Sequence, residues 1–316
     1  MINRTIVRTR VIQTLFAYYK DGDKTPLTAR KELLSSFADT YSLYMLLLDL
    51  INELTTYAEG QIEEAIQRSK VTHTHIEPNY RFVRNRLAQQ VFQNRQLRHY
   101  VAQEKLRWDS ALSSVAALYR RITESGYYQE YMNSKEDSYE ADKAVWRRII
   151  NDWVYSRELE SALEELEIAL DHQHWTTDLS VVVSYVIKTI KRFEEANGAD
   201  QELLQMFDRE EELHFAQDLL RQAIEHHDEY QELIATHLRG WDPDRIAYMD
   251  RIILQTALAE IINFPDIALE VSLNEYLELA KEYSGDKSHL FINGILDEII
   301  KEMRRNDTLL KAMTIK

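Results

Sequence analysis

Ten histidines and several clustered acids are the residues with which this sequence would perform metal or acid/base chemistry. His73 and His75, and likewise His172 and His174, sit two apart, while Glu211-Glu212-Leu213-His214 is a single Glu-x-x-His motif. A carboxylate-bridged di-iron bundle needs two such motifs and two further inward-facing glutamates. One copy is insufficient, so these histidines are expected at the surface or at helix ends, and no metal site is expected. Glu164-Glu165 and Glu210-Glu211-Glu212 lie on stretches whose other faces carry the apolar residues, which marks a solvated face rather than a catalytic pair. The chain has no cysteine, which removes disulfides, thiolate metal sites and thiol nucleophiles. It also lacks a glycine-rich phosphate loop, a nucleophile elbow and a Walker sequence. Neither an enzyme nor a cofactor is expected.

Charge carries more information than these motifs. The 316 residues have a net charge of −15, which as a whole repels nucleic acid. The charge is unevenly spread, however. Residues 1–20 contain Arg4, Arg8, Arg10 and Lys20 with no acid, and residues 79–107 contain six arginines and one lysine against Glu104 alone. Two basic segments thus sit in a strongly acidic remainder. At about 100° per residue, Arg4 and Arg8 fall over the same arc as Val11 and Leu15, whereas Arg10, Gln13 and Ala17 fall on the other side. Two readings of Arg8 stay open: a ligand contact, or a side chain laid on apolar surface or paired with a carboxylate. In the second segment the arginines alternate with Phe82, Phe92 and Tyr100, the composition of a single-strand-binding surface. The alternatives there are a solvated basic helix, or one paired with the acids around Glu158 to Glu167.

The elements that must position these residues are helices. Seven glycines and four prolines are too few for the turns of an all-β fold or the phosphate loops of a doubly wound one, and 45% hydrophobic residues exclude a disordered chain. Apolar periodicity predicts a helix over residues 4–20 and one starting at Thr25-Pro26 that runs to about Gln67, with a break near Asp39. Further helical stretches are expected over Tyr80–Arg121, Ala141–Leu170, Asp178–Glu195 and Asp208–Leu238. Gly240 closes the last of these, and Asp242-Pro243 starts another. Ser272-Leu273-Asn274-Glu275 fits a capping box, Gly285 a helix end, and Ser288 the start of the final helix. In that helix Asn293-Gly294 sits among Phe291, Ile292, Ile295 and Leu296, where both residues are poor helix formers. Either Gly294 permits close helix packing, or Phe291 and Asn293 present a stacking ring and a base-reading amide. The amino-terminal stretch lacks a signal-peptide core, and the longest apolar run, Leu43–Leu48, is too short to cross a bilayer, so a soluble, cytoplasmic protein without membrane contact is expected.

The carboxy-terminal residues resemble a known family. Arg245-Ile-Ala-Tyr-Met-Asp250-Arg-Ile-Ile-Leu254, Ala259-Glu260-Ile261, Leu273-Asn274-Glu275 with Glu278-Leu-Ala-Lys281, and Ser288-His-Leu-Phe291-Ile-Asn293-Gly294-Ile-Leu296-Asp297 follow, in order, the pattern of the NusB transcription antitermination family. Arg8-Thr-Arg-Val-Ile-Gln13-Thr-Leu15-Phe16 resembles that family's first helix. The resemblance implies an all-α fold, a NusB-like helical bundle of two packed helical subdomains, enlarged here by an inserted helical region. The corresponding segments are a first helix at 1–20, an insertion with amino-terminal subdomain at 21–207, a carboxy-terminal subdomain at 208–305 and a tail at 306–316.

The resemblance further implies an RNA-binding transcription antitermination factor. It would act with NusE, the small-subunit ribosomal protein, on boxA-type single-stranded sequences of nascent ribosomal RNA, within the RNA polymerase elongation complex. Carried over by position, the RNA contacts are Arg4, Arg8, Arg10, Gln13, Lys281, Lys287, Ser288, Phe291 and Asn293, and the NusE contacts are Phe16 and Glu260. The arginine cluster is thinner than is usual in the family. Two competing readings remain: an all-helical protein-interaction scaffold without sequence-specific RNA binding, and the NusB-like part of a ribosomal RNA methyltransferase. The second requires a glycine-rich cofactor domain, for which seven dispersed glycines leave no room.

Overall fold

The structure is a computed structural model that describes residues 1–238 and 246–309. Its helices, in chain order, are α1 (Arg4–Lys20), α2 (Pro26–Thr72), α3 (Arg86–Gln93), α4 (Arg95–Gln103), α5 (Leu112–Glu124), α6 (Gly126–Asn133), α7 (Tyr139–Asp152), α8 (Arg157–Leu170), α9 (Trp175–Arg192), α10 (Glu210–Glu225), α11 (His227–His237), α12 (Tyr248–Asn263), α13 (Leu269–Tyr283) and α14 (Ser288–Arg305). Among the described residues the one β pairing is an isolated bridge between Ile2 and Phe207. The fold is all-α, as the scarcity of glycine and proline requires. No helix among the described residues is long and apolar enough to cross a membrane.

The chain divides into two compact units, one of residues 38–206 with Met1, the other of residues 2–37 and 207–316. The division falls inside α2, between Phe37 and Ala38, rather than after Lys20.

In the first unit α2 supplies the central element. Tyr41 to Leu48, Leu50 and Ile51 are all buried, so this stretch of the helix is covered on every side. A helix buried all round must satisfy its polar groups internally. Thr40 donates to Asp178 at 2.7 Å, Tyr41 to the Leu204 carbonyl at 3.0 Å, and the Tyr44 hydroxyl meets that of Thr189 at 2.7 Å. Removing an apolar side chain such as Leu46 from this core costs about 2–5 kcal/mol. The Thr25-Pro26 start is present, with Thr25 Oγ1 accepting from the Thr28 amide at 3.2 Å. The break expected near Asp39 is absent, because no glycine or proline interrupts the apolar run there. Asp39 instead holds His172 at 2.7 Å, and its carbonyl accepts from Trp175 Nε1 at 2.8 Å.

Three expected long helices are each divided. Tyr80–Arg121 breaks at Asn85 and Asn94, whose side chains cap α3 and α4, and again before α5. Ala141–Leu170 breaks at Ser156, which caps α8. Asp208–Leu238 breaks at His226. Gly240 and Asp242-Pro243, expected to end one helix and start the next, lie outside the described residues, as does Arg245.

In the second unit α1 contacts both α10 and α12, α12 lies against α13 and α14, and α11 lies against α12 and α14. Every residue from Ile252 to Ile261 is buried, which makes α12 the counterpart of α2. Its polar groups are again paired: Gln255 Nε2 donates to the Ala223 carbonyl at 2.6 Å and to Tyr19 Oη at 2.7 Å. Ser272 to Glu275 is not a capping box. α13 begins three residues earlier at Leu269, so Ser272 lies inside the helix and is buried.

Candidate nucleic-acid interface

α1 starts cleanly because Asn3 caps it, its Oδ1 accepting from the Ile6 amide at 3.0 Å. Val7, Val11, Ile12 and Leu15 are buried as the periodicity requires, but Arg8 and Arg10 are buried with them, each only 2% exposed. The cause for Arg8 lies on α12 and α13. Arg8 Nε and Nη2 donate to the two oxygens of Glu260 at 2.7 and 2.8 Å, and Nη1 donates to Glu275 at 3.2 Å. Ser272 Oγ and Tyr276 Oη donate to the same Glu260 carboxylate at 2.6 and 2.9 Å. The guanidinium also lies 5.6 Å from the centre of the Phe215 ring.

Burial opposes the charge on both partners, yet the pairing outweighs it. Glu260 is held below the usual carboxylate range by Arg8, Ser272 and Tyr276, and Arg8 is held above the usual guanidinium value by Glu260. Burial, followed by the negative charge of Glu260, pushes the Tyr276 hydroxyl well above its ordinary value.

Two expected contacts are therefore corrected. Arg8 does not face solvent as an RNA contact, and Glu260, at 0% exposure, does not face a partner protein. The two side chains bind each other rather than two different ligands. Arg10 is likewise withdrawn from the surface; its Nη1 donates to Gln13 at 2.7 Å.

The other end of the expected surface is the turn between α13 and α14. Asp250 of α12, 5% exposed, accepts from Ser284 Oγ at 2.5 Å and from Ser288 Oγ at 3.0 Å, and the Ser288 amide donates to the Gly285 carbonyl at 2.8 Å. The Ser288 hydroxyl is thereby turned inward, which corrects its place among the RNA contacts. Around this fixed turn Lys287 and Asn293 are exposed and Phe291 is half-buried. Lys281 is exposed and paired with Glu278 at 2.6 Å. Gly294 does not serve close packing: a Cβ there would meet nothing within 4 Å.

Three expected contacts remain on the first helix. Arg4 is exposed, its guanidinium 5.2 Å from the Phe215 ring centre, and Gln13 is half-buried. Phe16 is also half-buried, packed edge-on against Tyr248 at 5.3 Å. Sequence reasoning missed Tyr248 as an aromatic neighbour of Phe16, and missed Asp250 as the anchor of the turn. The aspartate was visible in the carboxy-terminal pattern, but nothing local to it indicated two serines more than thirty residues away.

The basic segment at 79–107 does not pair with Glu158 to Glu167 among the described residues. Arg86 meets Asp137 at 2.9 Å, Asp142 at 3.4 Å and Glu195 at 3.5 Å, and Arg95 meets Asp200 at 2.7 Å. Among the described residues no group of three or more histidines and acids is placed to hold a metal ion.

The chain is all-helical, with Arg8 of its first helix neutralised internally and, at the start of α14, an exposed cation and amide beside a half-buried aromatic ring. Its carboxy-terminal part places it in a family. The NusB family model matches residues 184–301. The transcription antitermination protein NusB of Halalkalibacterium halodurans is 41% identical over 98 residues, which is 31% of this chain and 73% of that protein. The Bacillus subtilis protein of the same name is 40% identical over 92 residues, 29% of this chain and 70% of that protein. That of Symbiobacterium thermophilum is 42% identical over 95 residues, 30% and 62% respectively. The chain belongs to the NusB family. No solved structure matches it.

Proposed function

We propose that this chain is an RNA-binding transcription antitermination factor that acts with NusE on boxA-type sequences of nascent ribosomal RNA. The observation that carries the reading is the turn before α14. Asp250 fixes Ser284 and Ser288, which leaves Lys287 and Asn293 in solvent beside a half-buried Phe291. A cation for phosphate, an aromatic ring for an unstacked base and an amide for a base edge are the groups that single-stranded RNA recognition uses. Arg4, Gln13 and Lys281 extend the contact set. The relatives named above are transcription antitermination proteins, which supports the same reading. Phe16 with Tyr248 supplies a surface aromatic pair suited to NusE, and Arg8 with Glu260 holds α1 in place behind it.

One observation favours the scaffold reading instead: with Arg8 and Arg10 buried, α1 retains few cations for phosphate. A single experiment separates the two. The purified protein, alone and with its NusE, is titrated against a boxA RNA and a scrambled RNA across a salt series. Salt-sensitive binding that prefers boxA and falls with Phe291→Ala supports the antitermination factor. Equal affinity for both RNAs with NusE present assigns the chain to the scaffold class.

A further inference from the structure

The first unit carries a groove that no part of the family match covers, since that match begins at residue 184. Two adjoining depressions of about 660 and 430 Å³ share Asn52, Thr56 and Phe92. One wall is α2, which presents Asp49, Asn52, Glu53 and Thr56; the other is formed by residues 80–107. Phe92 is 60% exposed and has no ring or cation against it among the described residues. A large aromatic left open at the centre of a groove is unusual in a chain whose other phenylalanines are mostly packed, and it offers a free stacking face.

The cations follow from helix spacing. Arg95, Arg98 and His99 recur at three and four residues along α4, which places them on one face, and Lys105 follows at its end. Arg98 and Lys105 are exposed and have no acid within ion-pair distance among the described residues. Arg95 has only the exposed Asp200, a pair weak enough to be exchanged for phosphate. On the far side of Phe92, Arg84 lies over the Tyr80 ring at 5.0 Å. The groove is therefore two-faced. Its α4 wall attracts phosphate, while Asp49 and Glu53 on the α2 wall repel it and can accept hydrogen bonds from base N–H groups. An acidic protein segment would need cations on both walls.

We propose that this groove binds single-stranded RNA, with the phosphates along Arg95, Arg98 and Lys105 and a base stacked on Phe92. The proposal rests on the reading of the chain as an RNA-binding protein, but not on boxA preference or on any residue of α14. It gives the protein a second, sequence-tolerant RNA contact.

The test uses the full chain and a labelled ten-residue oligouridylate, which contains no boxA. Binding is followed by fluorescence anisotropy across a salt series, with helicity of each variant checked by circular dichroism. Phe92→Ala is expected to weaken oligouridylate binding about tenfold through lost stacking, and Arg98→Ala to flatten the salt slope by about 0.7. Both residues are exposed, so neither change should disturb folding. Absent binding, or binding that ignores both variants, overturns the proposal. So does displacement of the oligouridylate by a polyglutamate peptide whose own binding is insensitive to Phe92→Ala. Preference for boxA over a scrambled RNA, measured on the same variants, keeps the two readings apart. A protein that prefers boxA but ignores Phe92 and Arg98 loses the groove and keeps the proposed function. One that needs Phe92 for oligouridylate but shows no boxA preference does the reverse.

Discussion

Arg8 and Glu260, 252 positions apart, form a bidentate pair at 2.7 and 2.8 Å in which neither side chain is more than 2% exposed. The pair ties α1 to α12, and Glu275 and Tyr276 bring α13 into the same network. Breaking a buried pair by removing one partner leaves an uncompensated charge and costs about 3–5 kcal/mol. Arg8→Ala and Glu260→Ala should each lower stability by that amount, read as a fall in the urea midpoint. The double variant Arg8→Met with Glu260→Leu should lose much less than the two single costs combined, because no charge is left stranded. Additive losses would show that the two side chains act independently.

The same network sets an acid limit. The Glu260 carboxyl is held below its ordinary value of 4.5 in the folded state, so the stability it contributes is present above about pH 4.5 and is lost as pH falls through the lower folded-state value. Asp49 and Glu53 behave oppositely. Burial raises both, and for Glu53 the negative charge of Asp49 adds to the effect, so folding favours their neutral forms and ionisation weakens the fold as pH rises through their folded-state values. Asp49→Asn is expected to raise the urea midpoint at pH 7, with the advantage disappearing below pH 4. An Asp49→Asn advantage that persisted unchanged into acid would contradict this assignment.

Gly294 is an exposed glycine in the interior of α14, and a Cβ there meets nothing within 4 Å. Gly294→Ala should therefore stabilise the helix by about 0.5–1 kcal/mol. A differential scanning calorimetry upshift with unchanged RNA affinity is the expected result. A loss of boxA binding in this variant would place Gly294 itself against the RNA, where a ligand rather than a helix approaches it.

What was legible in the sequence divides by the range of the cause. The limits of α1, the Thr25-Pro26 start of α2 and the Ser288 start of α14 are local signals, and each stands where its residues place it. Asn85, Asn94 and Ser156 are local caps as well, but they sit inside apolar periodicity that continues on both sides, and without glycine or proline nothing in the pattern marks them as breaks. Ser272 misled for the opposite reason: its spacing to Glu275 imitates a capping box, while its hydroxyl is committed to Glu260. The burial of Arg8 was one of two open readings, and only the approach of α12 decides between them. Helical class and family are thus written in composition and local pattern. Which cations reach solvent depends on partners far away in the chain.

Lys287 and Phe291 are one turn apart at the start of α14, and the proposed RNA contact assigns them different physical work. Lys287 is an exposed cation, so its contribution is electrostatic and arises from counterion release. Lys287→Ala should flatten the dependence of log affinity on log salt by about 0.7 while leaving the preference for boxA over a scrambled RNA nearly intact. Phe291 is half-buried, and its exposed face has no charge to give. Phe291→Ala should leave the salt slope unchanged and cost about 1–3 kcal/mol of affinity through lost stacking. Phe291→Tyr should restore most of it, because the ring face is kept. The two single variants therefore separate in a plot of affinity against salt, one changing the slope and the other the intercept. If both changed only the slope, the ring would be acting through the fold of the turn that Asp250 anchors, and the Asp250→Asn variant would then reproduce the Phe291→Ala result.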